Sequence, residues 1–223
     1  MDVDTALRTR GSTRAFLDRA VSREAVDAIL TAARFAPSGT NIQPWQVHVV
    51  SGTVRERICS EVRHAATHER EQHRPVYDYY PAEWREPYLA RRRACGWGLY
   101  SLLGIARGDR AAGLAQELRN FDFFDAPVGL FFFVDADLPV GSWLDYGMFL
   151  QSVMLAAQGA GLATCPQAAW APFHTIVRAA LSAPESQILL CGMALGHPNP
   201  AATVNAFRPE RIAVEQFTTW HGL

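Results

Sequence analysis

The sequence contains no lysine, so every permanently cationic side chain among its 223 residues is an arginine. This absence excludes a catalytic lysine that forms a Schiff base with its substrate, and it excludes the lysine of a P-loop nucleotide site. The formal net charge is −1 at pH 7, which gives no bulk attraction to nucleic acid or to an anionic membrane. We therefore expect neither a nucleic-acid partner nor a membrane partner.

Cysteines and long apolar runs are also scarce. The cysteines lie far apart and form no C-x-x-C pair; they are Cys59, Cys95, Cys165 and Cys191. This spacing argues against zinc ribbons and thioredoxin-like redox motifs. The longest apolar run, residues 128–134, is too short to span a bilayer, and residues 1–10 lack the apolar core of a signal peptide. We expect a cytoplasmic protein with reduced thiols.

The composition that is present is that of a folded domain. Hydrophobic residues make up 49% of the chain and charged residues 19%, which is typical of globular rather than disordered proteins. Apolar runs at residues 128–135 and 188–195 predict two buried strands. Residues 143–159 predict a long helix that is apolar around most of its circumference, and such a helix belongs in the middle of a molecule.

Shorter elements are predicted between these. Helices are expected at residues 88–107, at residues 109–118 and after Pro172, and a short strand is expected within GLATCPQAAW. Thr53 and Glu56 match the T-x-x-E capping box of a helix start. Residues 216–220 are a possible terminal strand, which would be a candidate for pairing with another chain.

The first segment that could bind a ligand lies near the start of the chain. Arg8, Arg10 and Arg14 surround a glycine and two hydroxyl residues in the sequence RTRGSTR. Guanidinium groups beside hydroxyls can bind an anion. The alternative is a solvated basic turn.

The second such segment is a polar loop between a helix and a strand. A helix with an apolar face at residues 26–33 continues to Ala36 and is stopped by Pro37, and a mostly buried strand is predicted at residues 45–50. The loop residues are small or carry an amide: Ser38, Gly39, Thr40 and Asn41. Such a loop is either a cradle for a planar polar ligand or a phosphate, or an ordinary helix-to-strand turn.

Residues 54–93 are the most polar part of the chain. His64 and His68 are four residues apart on one helical face, a spacing that can bind zinc, although a solvated helix face explains it better. The segment PAEWREPY, at residues 81–88, places two prolines around aromatic side chains. This pattern is typical of a mobile flap, or of an excursion that lines a pocket. We refer to residues 77–88 as the flap.

Several motifs follow one another in a recognisable order. They are Arg10, Ser12 and Arg14; residues 38–43; GLATCPQAA after the long helix; GMALGHP at a strand end; and Arg208 with Arg211. In this order and at these spacings the sequence resembles the FMN-dependent nitroreductase family over nearly its whole length, with residues 60–120 the least alike. The segments GSWLD and TCPQAAWAPF resemble the branch that includes nitrobenzoate and dinitroaniline reductases.

The resemblance implies an α+β fold in which a central, mostly antiparallel sheet is flanked by helices, in an intertwined homodimer with two FMN sites at the subunit interface. It implies a single domain over residues 1–223, with residues 60–120 as a variable helical and flap excursion. NAD(P)H would pass a hydride to flavin N5 and leave, and a nitroaromatic or quinone would then take two electrons in the same place. The flavin would carry the chemistry, with no catalytic residue from the protein and no metal.

The same resemblance implies which residues surround the flavin. Its phosphate would be held by Arg10, Gly11, Ser12, Arg14, Arg208 and Arg211. Its ring or ribityl chain would be reached, partly from the second subunit, by Pro37, Ser38, Gly39, Thr40, Asn41 and Gln43. The main chain near N5 would be that of Pro166, Gln167, Ala168 and Ala169, and the pyrimidine edge would be near Asn120.

We also predict a substrate slot lined by aromatic side chains. Its residues would be Tyr80, Trp84, Tyr88, Phe123 and Phe124. Plain packing in the core is an equally good interpretation of the two phenylalanines.

The sequence departs from the family pattern at two points. Many relatives carry an acidic residue and a glycine where Gln167, Ala168 and Ala169 follow Pro166, so main-chain donation is kept and a carboxylate is lost. Many relatives also use lysine near the pyrimidine edge or the phosphate, where arginine must replace it.

Other functions remain open at this point. A reductive dehalogenase of the same scaffold would use a lysine in its lid, which this chain lacks. Another relative of the scaffold fragments flavin with oxygen. A non-catalytic protein that binds flavin, or that binds nucleic acid through the Arg-rich residues 85–93, is a more distant alternative.

Overall fold

The computed structural model describes residues 1–222. The helices are α1 (Val3–Thr9), α2 (Arg23–Ala33), α3 (Gly52–His68), α4 (Tyr88–Leu102), α5 (Arg110–Leu118), α6 (Val140–Gly159) and α7 (His174–Leu181). The strands are β1 (Gln46–Ser51), β2 (Val128–Asp135), β3 (Ala163–Gln167) and β4 (Gln187–Gly196). Short 3-10 turns lie at Gly39–Asn41, Arg70–Gln72, Arg119–Asp125, Ala168–Phe173, Thr203–Ala206 and Val214–Gln216.

The strands form one antiparallel sheet in the order β1-β2-β4-β3. Side chains of β2 alternate between two hydrophobic cores, since successive residues of a strand point to opposite faces. Phe131 and Phe133 share one core with α3 and α7, whereas Leu130 and Phe132 share the other with α2 and α6. Both faces of the sheet are therefore covered by helices, which explains the uninterrupted apolar run of β2 and confirms the predicted α+β fold with its antiparallel sheet.

The long apolar helix is confirmed as α6, which begins at Val140, before the predicted start at residue 143, and ends at Gly159. Its buried face includes Tyr146, Phe149 and Val153, which pack in the core shared with α2. Within residues 1–222, no helix is both long enough and apolar enough to cross a membrane.

Several predicted boundaries are wrong. α4 ends at Leu102 rather than at residue 107, because Gly104 takes a left-handed conformation with φ 71°. α3 begins at Gly52, directly after β1, with Ser51 at the N-cap position; Thr53 and Glu56 therefore lie inside the helix and form no capping box.

The predicted terminal strand does not form within the protomer. In the part of the chain that the structure describes, residues 216–220 form no strand, and Val214–Gln216 is a 3-10 turn. A strand needs a partner for its main-chain hydrogen bonds, and residues 216–220 pair with none of the four strands of this protomer.

Candidate functional site

The arginine-rich segment after α1 lies along β3, an edge strand of the sheet. The Thr13 N–H donates to the Thr164 carbonyl oxygen at 3.0 Å, and Ser12 forms a parallel bridge with Thr164. Pairing with an existing strand fixes the direction of this segment. Arg10 and Arg14 are thereby placed on either side of Ser12, next to β3.

Asn205 fastens the C-terminal segment to this N-terminal segment. Its Oδ1 accepts hydrogen bonds from the N–H groups of Arg14 and Ala15 at 2.8 and 3.2 Å, and its Nδ2 donates to the carbonyl oxygens of Ala15 and Asn199 at 2.8 and 2.9 Å. Sequence reasoning missed this residue, because a single asparagine in a loop carries no signal of such a role. The hydrogen bonds of Asn205 bring the segment that carries Arg208 next to Arg14.

A cleft of about 870 Å³ opens between these two segments, and we call it the arginine cleft. Every residue for which the resemblance implies a phosphate contact lines it: Arg10, Gly11, Ser12, Arg14, Arg208 and Arg211. A Cβ at Gly11 would lie 3.1 Å from the Cζ atom of Arg208, so the glycine lets the guanidinium pack closely against the main chain of the N-terminal segment. The tertiary structure thus brings the two ends of the chain together around one basic cavity.

Arg8 and Asp4 also line this cleft and pair with each other at 2.8 Å, but the other arginines carry positive charge that no carboxylate balances. Among residues 1–222, none of Arg10, Arg14, Arg208 and Arg211 forms an ion pair. Arg14 and Arg208 instead donate to main-chain carbonyl oxygens at 3.2 Å and 2.8 Å. Burial lowers the pKa of Arg10, and the charges of Arg211 and Arg208 lower it further. Unbalanced like charges in one cavity are typical of a site for an anion.

Cys165 lies under the arginine cleft as a buried thiol. Burial raises the pKa of Cys165 to about 11, although the charges of Arg14 and Arg10 and a hydrogen bond with Ser12 oppose the rise. A thiol with such a pKa is protonated at neutral pH and is a poor nucleophile. The chemistry of this site therefore falls to a ligand rather than to a cysteine.

The polar loop is held in a strained conformation by α6. The Gly39 N–H donates to Oδ2 of Asp145 at 3.1 Å, and the Gln43 N–H donates to Oγ of Ser38 at 3.0 Å. Thr40, Asn41 and Gln43 all have positive φ, at 47°, 61° and 49°. Non-glycine residues in this region cost about 1–2 kcal/mol each and cluster at functional sites.

Asp145 is a functional candidate that sequence reasoning missed. Its side chain is buried and forms no ion pair with a cation among residues 1–222. A single carboxylate in an otherwise apolar helix was the signal that could have identified it. The loop that it holds lines neither the arginine cleft nor the cleft described next within one protomer.

A second cleft, of about 570 Å³, lies at the other end of β3. We call it the amide cleft, because Asn120 and Gln167 meet in its wall: the Gln167 Nε2 donates to the carbonyl oxygen of Asn120 at 2.7 Å. The other residues predicted near the flavin ring also line it, and they are Pro166, Ala168 and Ala169. The Gln167 side chain is buried, and its Oε1 accepts no hydrogen bond from the described residues.

β3 connects the two clefts. Thr164 pairs with the arginine-rich segment, and Gln167 belongs to the amide cleft. They are three positions apart along the strand, which is roughly 10 Å. A ligand with an anionic end and a planar polar end could therefore run along this strand from one cleft to the other.

The structure corrects the placement of Phe123 and Phe124. Both side chains are buried in the core shared with α3, and Phe123 stacks on Trp170 with ring centroids 4.6 Å apart. A Cβ at Gly129 would lie 2.5 Å from the Phe123 ring, so β2 packs tightly against it. These rings fill the core rather than a slot, because left-handed backbone at both residues turns them inward.

The flap is exposed and aromatic. Tyr80 lines the amide cleft and contacts Trp84, with ring centroids 5.5 Å apart. Trp84 and Tyr88 lie outside the lining of that cleft, and each carries a guanidinium over its ring: Arg92 over Trp84 and Arg85 over Tyr88, both at 4.9 Å. The Arg-rich residues 85–93 are thus partly engaged in cation–π contacts.

His64 and His68 pack against each other on α3, with ring centroids 4.6 Å apart. His64 Nε2 lies 3.7 Å from Oε1 of Glu69. Within residues 1–222, no group of three or more His, Cys, Asp or Glu side chains is arranged to hold a metal ion.

Comparison with known proteins agrees with this geometry. A family model described as "Nitroreductase family" matches residues 7–197. The chain is 39% identical to the chloronitrobenzene nitroreductase of Comamonas testosteroni, over 98% of this chain and 96% of that protein. It is 38% identical to the 4-nitrobenzoate reductase of Pseudomonas putida, over 99% of this chain and 96% of that protein.

A solved structure has the same fold over the full length. It is the crystal structure of the "FMN and NADPH-dependent nitroreductase NfnB" of Sphigopyxis sp. strain HMH, with a TM-score of 0.97, 40% sequence identity and coverage of 100% of both chains.

Proposed function

Because the chain belongs to the nitroreductase family, we propose that it is an FMN-dependent oxidoreductase that uses NADPH to reduce nitroaromatic compounds, with quinones as a further class of acceptor. The observation that carries the proposal is the arginine cleft, where guanidinium groups from both ends of the chain converge. Its one lining carboxylate, Asp4, pairs with Arg8 and leaves the other four arginines without an ion pair among the described residues. The chemical names of the similar enzymes support the nitroaromatic substrate class and the reductant.

The residues of the arginine cleft suit the phosphate of FMN. Arg10, Arg14, Arg208 and Arg211 would hold it by charge-assisted hydrogen bonds, with Gly11 leaving room and the Ser12 hydroxyl beside it. When bound, FMN supplies two-electron hydride chemistry between the nicotinamide and the acceptor.

The amide cleft suits the planar end of the cofactor and the acceptor. The chain there would orient the ring with the main chain of Ala168 and Ala169 and with the Asn120–Gln167 amide pair. Tyr79 and Tyr80 would cover the acceptor from the flap side and exclude water. No side chain is assigned a proton or a covalent bond in this scheme.

We further propose that the active molecule is a homodimer. A compact monomer of 24.7 kDa would expose roughly 10,000 Å², whereas this protomer exposes 13223 Å². α4 buries none of its residues within the protomer, and Phe35, Leu144 and Trp220 are largely exposed. A partner would cover this surface, and its polar loop, residues 37–43, would complete the cofactor site from the other side.

Three broader assignments belong to the same proposal. The chain is a single domain in which residues 60–120 are the variable part, as the resemblance implies. It acts in the cytoplasm, an assignment that the unpaired state of its cysteines supports. The net charge of −1 supports the absence of a nucleic-acid partner.

Flavin colour provides the test. We expect the purified protein, supplied with FMN and desalted, to be yellow, to lose its absorbance near the flavin maximum when NADPH is added without oxygen, and to regain it when 4-nitrobenzoate follows. A parallel titration with NADH measures the preference between the two nucleotides. A protein that retains no FMN, or a bleached flavin that 4-nitrobenzoate does not reoxidise, would overturn the proposal.

A further inference from the structure

The amide cleft has one wall that comes from a long irregular connection. Residues 73–87 join the turn at Arg70–Gln72 to α4 without any helix or strand. Connections of this length inside a compact domain are uncommon and are often functional. Four of its residues line the cleft: Pro75, Asp78, Tyr79 and Tyr80. The position of this connection therefore sets the width of the cleft.

A single hydrogen bond ties this wall to the sheet. Among the described residues, the Tyr77 hydroxyl, which donates to the carbonyl oxygen of Leu190, is the one group of residues 75–84 that forms a hydrogen bond outside that stretch. The Tyr77 ring also meets Trp143 edge-on, with centroids 4.8 Å apart. The neighbouring Tyr79 and Tyr80 are 61% and 60% exposed, so Tyr77 is the inward-facing anchor of the stretch.

Leu190 is available as an acceptor because β4 is irregular there. Phe133 pairs with Leu189 and Phe132 pairs with Cys191, so Leu190 is an extra residue without a partner on β2. Leu190 and Cys191 accordingly pack in the same core, although successive strand residues normally face opposite sides. On the other side, pairing with β3 reaches only as far as Gly192. Main-chain carbonyls need a donor, and Tyr77 supplies one to this bulge.

The Tyr77 hydroxyl is a dependable donor. Burial raises the pKa of Tyr77 above its usual range, and the nearby Cys191 and Tyr79 raise it further. The hydroxyl is therefore protonated throughout the physiological pH range, and the bond to Leu190 does not depend on pH.

We propose that Tyr77 is a positioning residue for the reduction reaction, which pins the flap wall of the amide cleft to the bulge of β4 and so sets the fit of the aromatic acceptor. Tyr77 itself does not line the cleft; it acts through Tyr79 and Tyr80, which do. The inference rests on the proposed function, in which the acceptor occupies this cleft.

The test compares two conservative variants of the holoenzyme. Tyr77→Phe removes the hydroxyl and keeps the ring against Trp143. The matched control is Tyr146→Phe, because its ring packs in the same core and its hydroxyl also donates to a main-chain carbonyl, that of Gln46 in β1 at 3.0 Å, rather than tying the flap to the sheet. Both variants are compared with the parent for FMN content, for kcat and KM with 4-nitrobenzoate, and for trypsin cleavage after Arg85 in the flap.

We expect Tyr77→Phe to raise the KM for 4-nitrobenzoate about 2- to 10-fold, the range that follows from the loss of one hydrogen bond, with kcat and FMN content little changed. Trypsin should cut after Arg85 faster by a similar factor. Tyr146→Phe should change neither the KM nor the cleavage rate. The proposal is overturned if Tyr77→Phe retains the parent KM, with or without faster cleavage, or if Tyr146→Phe raises both by the same factor.

Failure of the proposed function would look different. A parent protein that does not bind FMN or reduce 4-nitrobenzoate removes the kinetic comparison and overturns the assignment of Tyr77 to that reaction. The cleavage comparison would then still show whether the Tyr77 hydroxyl holds the flap, separately from the chemistry.

Discussion

The Arg10 side chain shows how single residues build this site. It is half-buried, its pKa is lowered by burial and by the charges of Arg211 and Arg208, and it has no carboxylate partner among the described residues. Its side chain makes one weak polar contact among the described residues, from Nη1 to the sulfur of Met154 at 3.8 Å. A bound anion would stabilise such a guanidinium strongly, because most of its N–H groups have no hydrogen-bond acceptor.

We therefore predict that Arg10→Ala weakens FMN binding by about 10- to 150-fold, which corresponds to the loss of a charge-assisted contact worth about 1.5–3 kcal/mol. Arg14→Ala should act in the same direction. The measurement is a fluorescence titration of the apoprotein with FMN. Arg23→Ala, at the exposed start of α2 and outside the lining of the arginine cleft, is the control and should bind FMN normally. An Arg10→Ala protein with the parent dissociation constant would contradict the phosphate assignment.

At the scale of elements, the polar loop depends on a helix that follows it by more than a hundred residues. Asp145 of α6 accepts the Gly39 N–H at 3.1 Å, at the start of the Gly39–Asn41 turn. The positive φ angles of Thr40 and Asn41 make the observed conformation unfavourable in isolation. The loop holds this shape because a buried carboxylate accepts its main-chain N–H.

Asp145→Ala should release this loop. We expect amide hydrogen exchange within residues 38–43 to become at least about tenfold faster, because a hydrogen bond to a charged group, worth about 1.5–3 kcal/mol, is lost. Asp145→Asn keeps an acceptor oxygen without the charge, so its exchange rates should fall between those of the parent and of Asp145→Ala. FMN affinity should follow the same order. Exchange rates unchanged in Asp145→Ala would show that the loop is held by other contacts.

At the scale of the whole molecule, the exposed surface is larger than one protomer of this mass requires. The excess over a compact monomer is roughly 3,000 Å², and it includes a helix, α4, with no buried residue. Covering this excess on both protomers would bury roughly 6,000 Å² in total, at the upper end of the areas that obligate dimers bury. In such dimers, folding and association are one process.

Light scattering should therefore give a particle of about twice 24.7 kDa, and the thermal midpoint of unfolding should rise with protein concentration, since association stabilises the folded state by mass action. Dilution below the dissociation constant should also release FMN if the partner's loop completes the site. A monomer at micromolar concentration that keeps its flavin would contradict both the dimer and the shared site.

Much of the fold could be read from local pattern. The apolar run of β2 and the apolar circumference of α6 predicted buried elements because burial on both faces requires such runs. The hydrophobic pattern did not predict helix ends that depend on one backbone torsion, such as the end of α4 just before the left-handed Gly104. The possible terminal strand does not form within one protomer, because a strand exists only where a partner supplies its hydrogen bonds.

The sequence by itself determined the chemical resources of this protein: arginine as its main cation, no lysine, and an ordered set of motifs that identified the family. Only the tertiary structure decided which of these resources meet. It placed Arg10 and Arg14 beside Arg208 and Arg211, with Asn205 linking the two segments. It buried Phe123 in the core rather than in a substrate slot. The physical reason is that composition and periodicity are local, whereas a site is formed by sheet pairing and side-chain contacts between residues far apart in the chain.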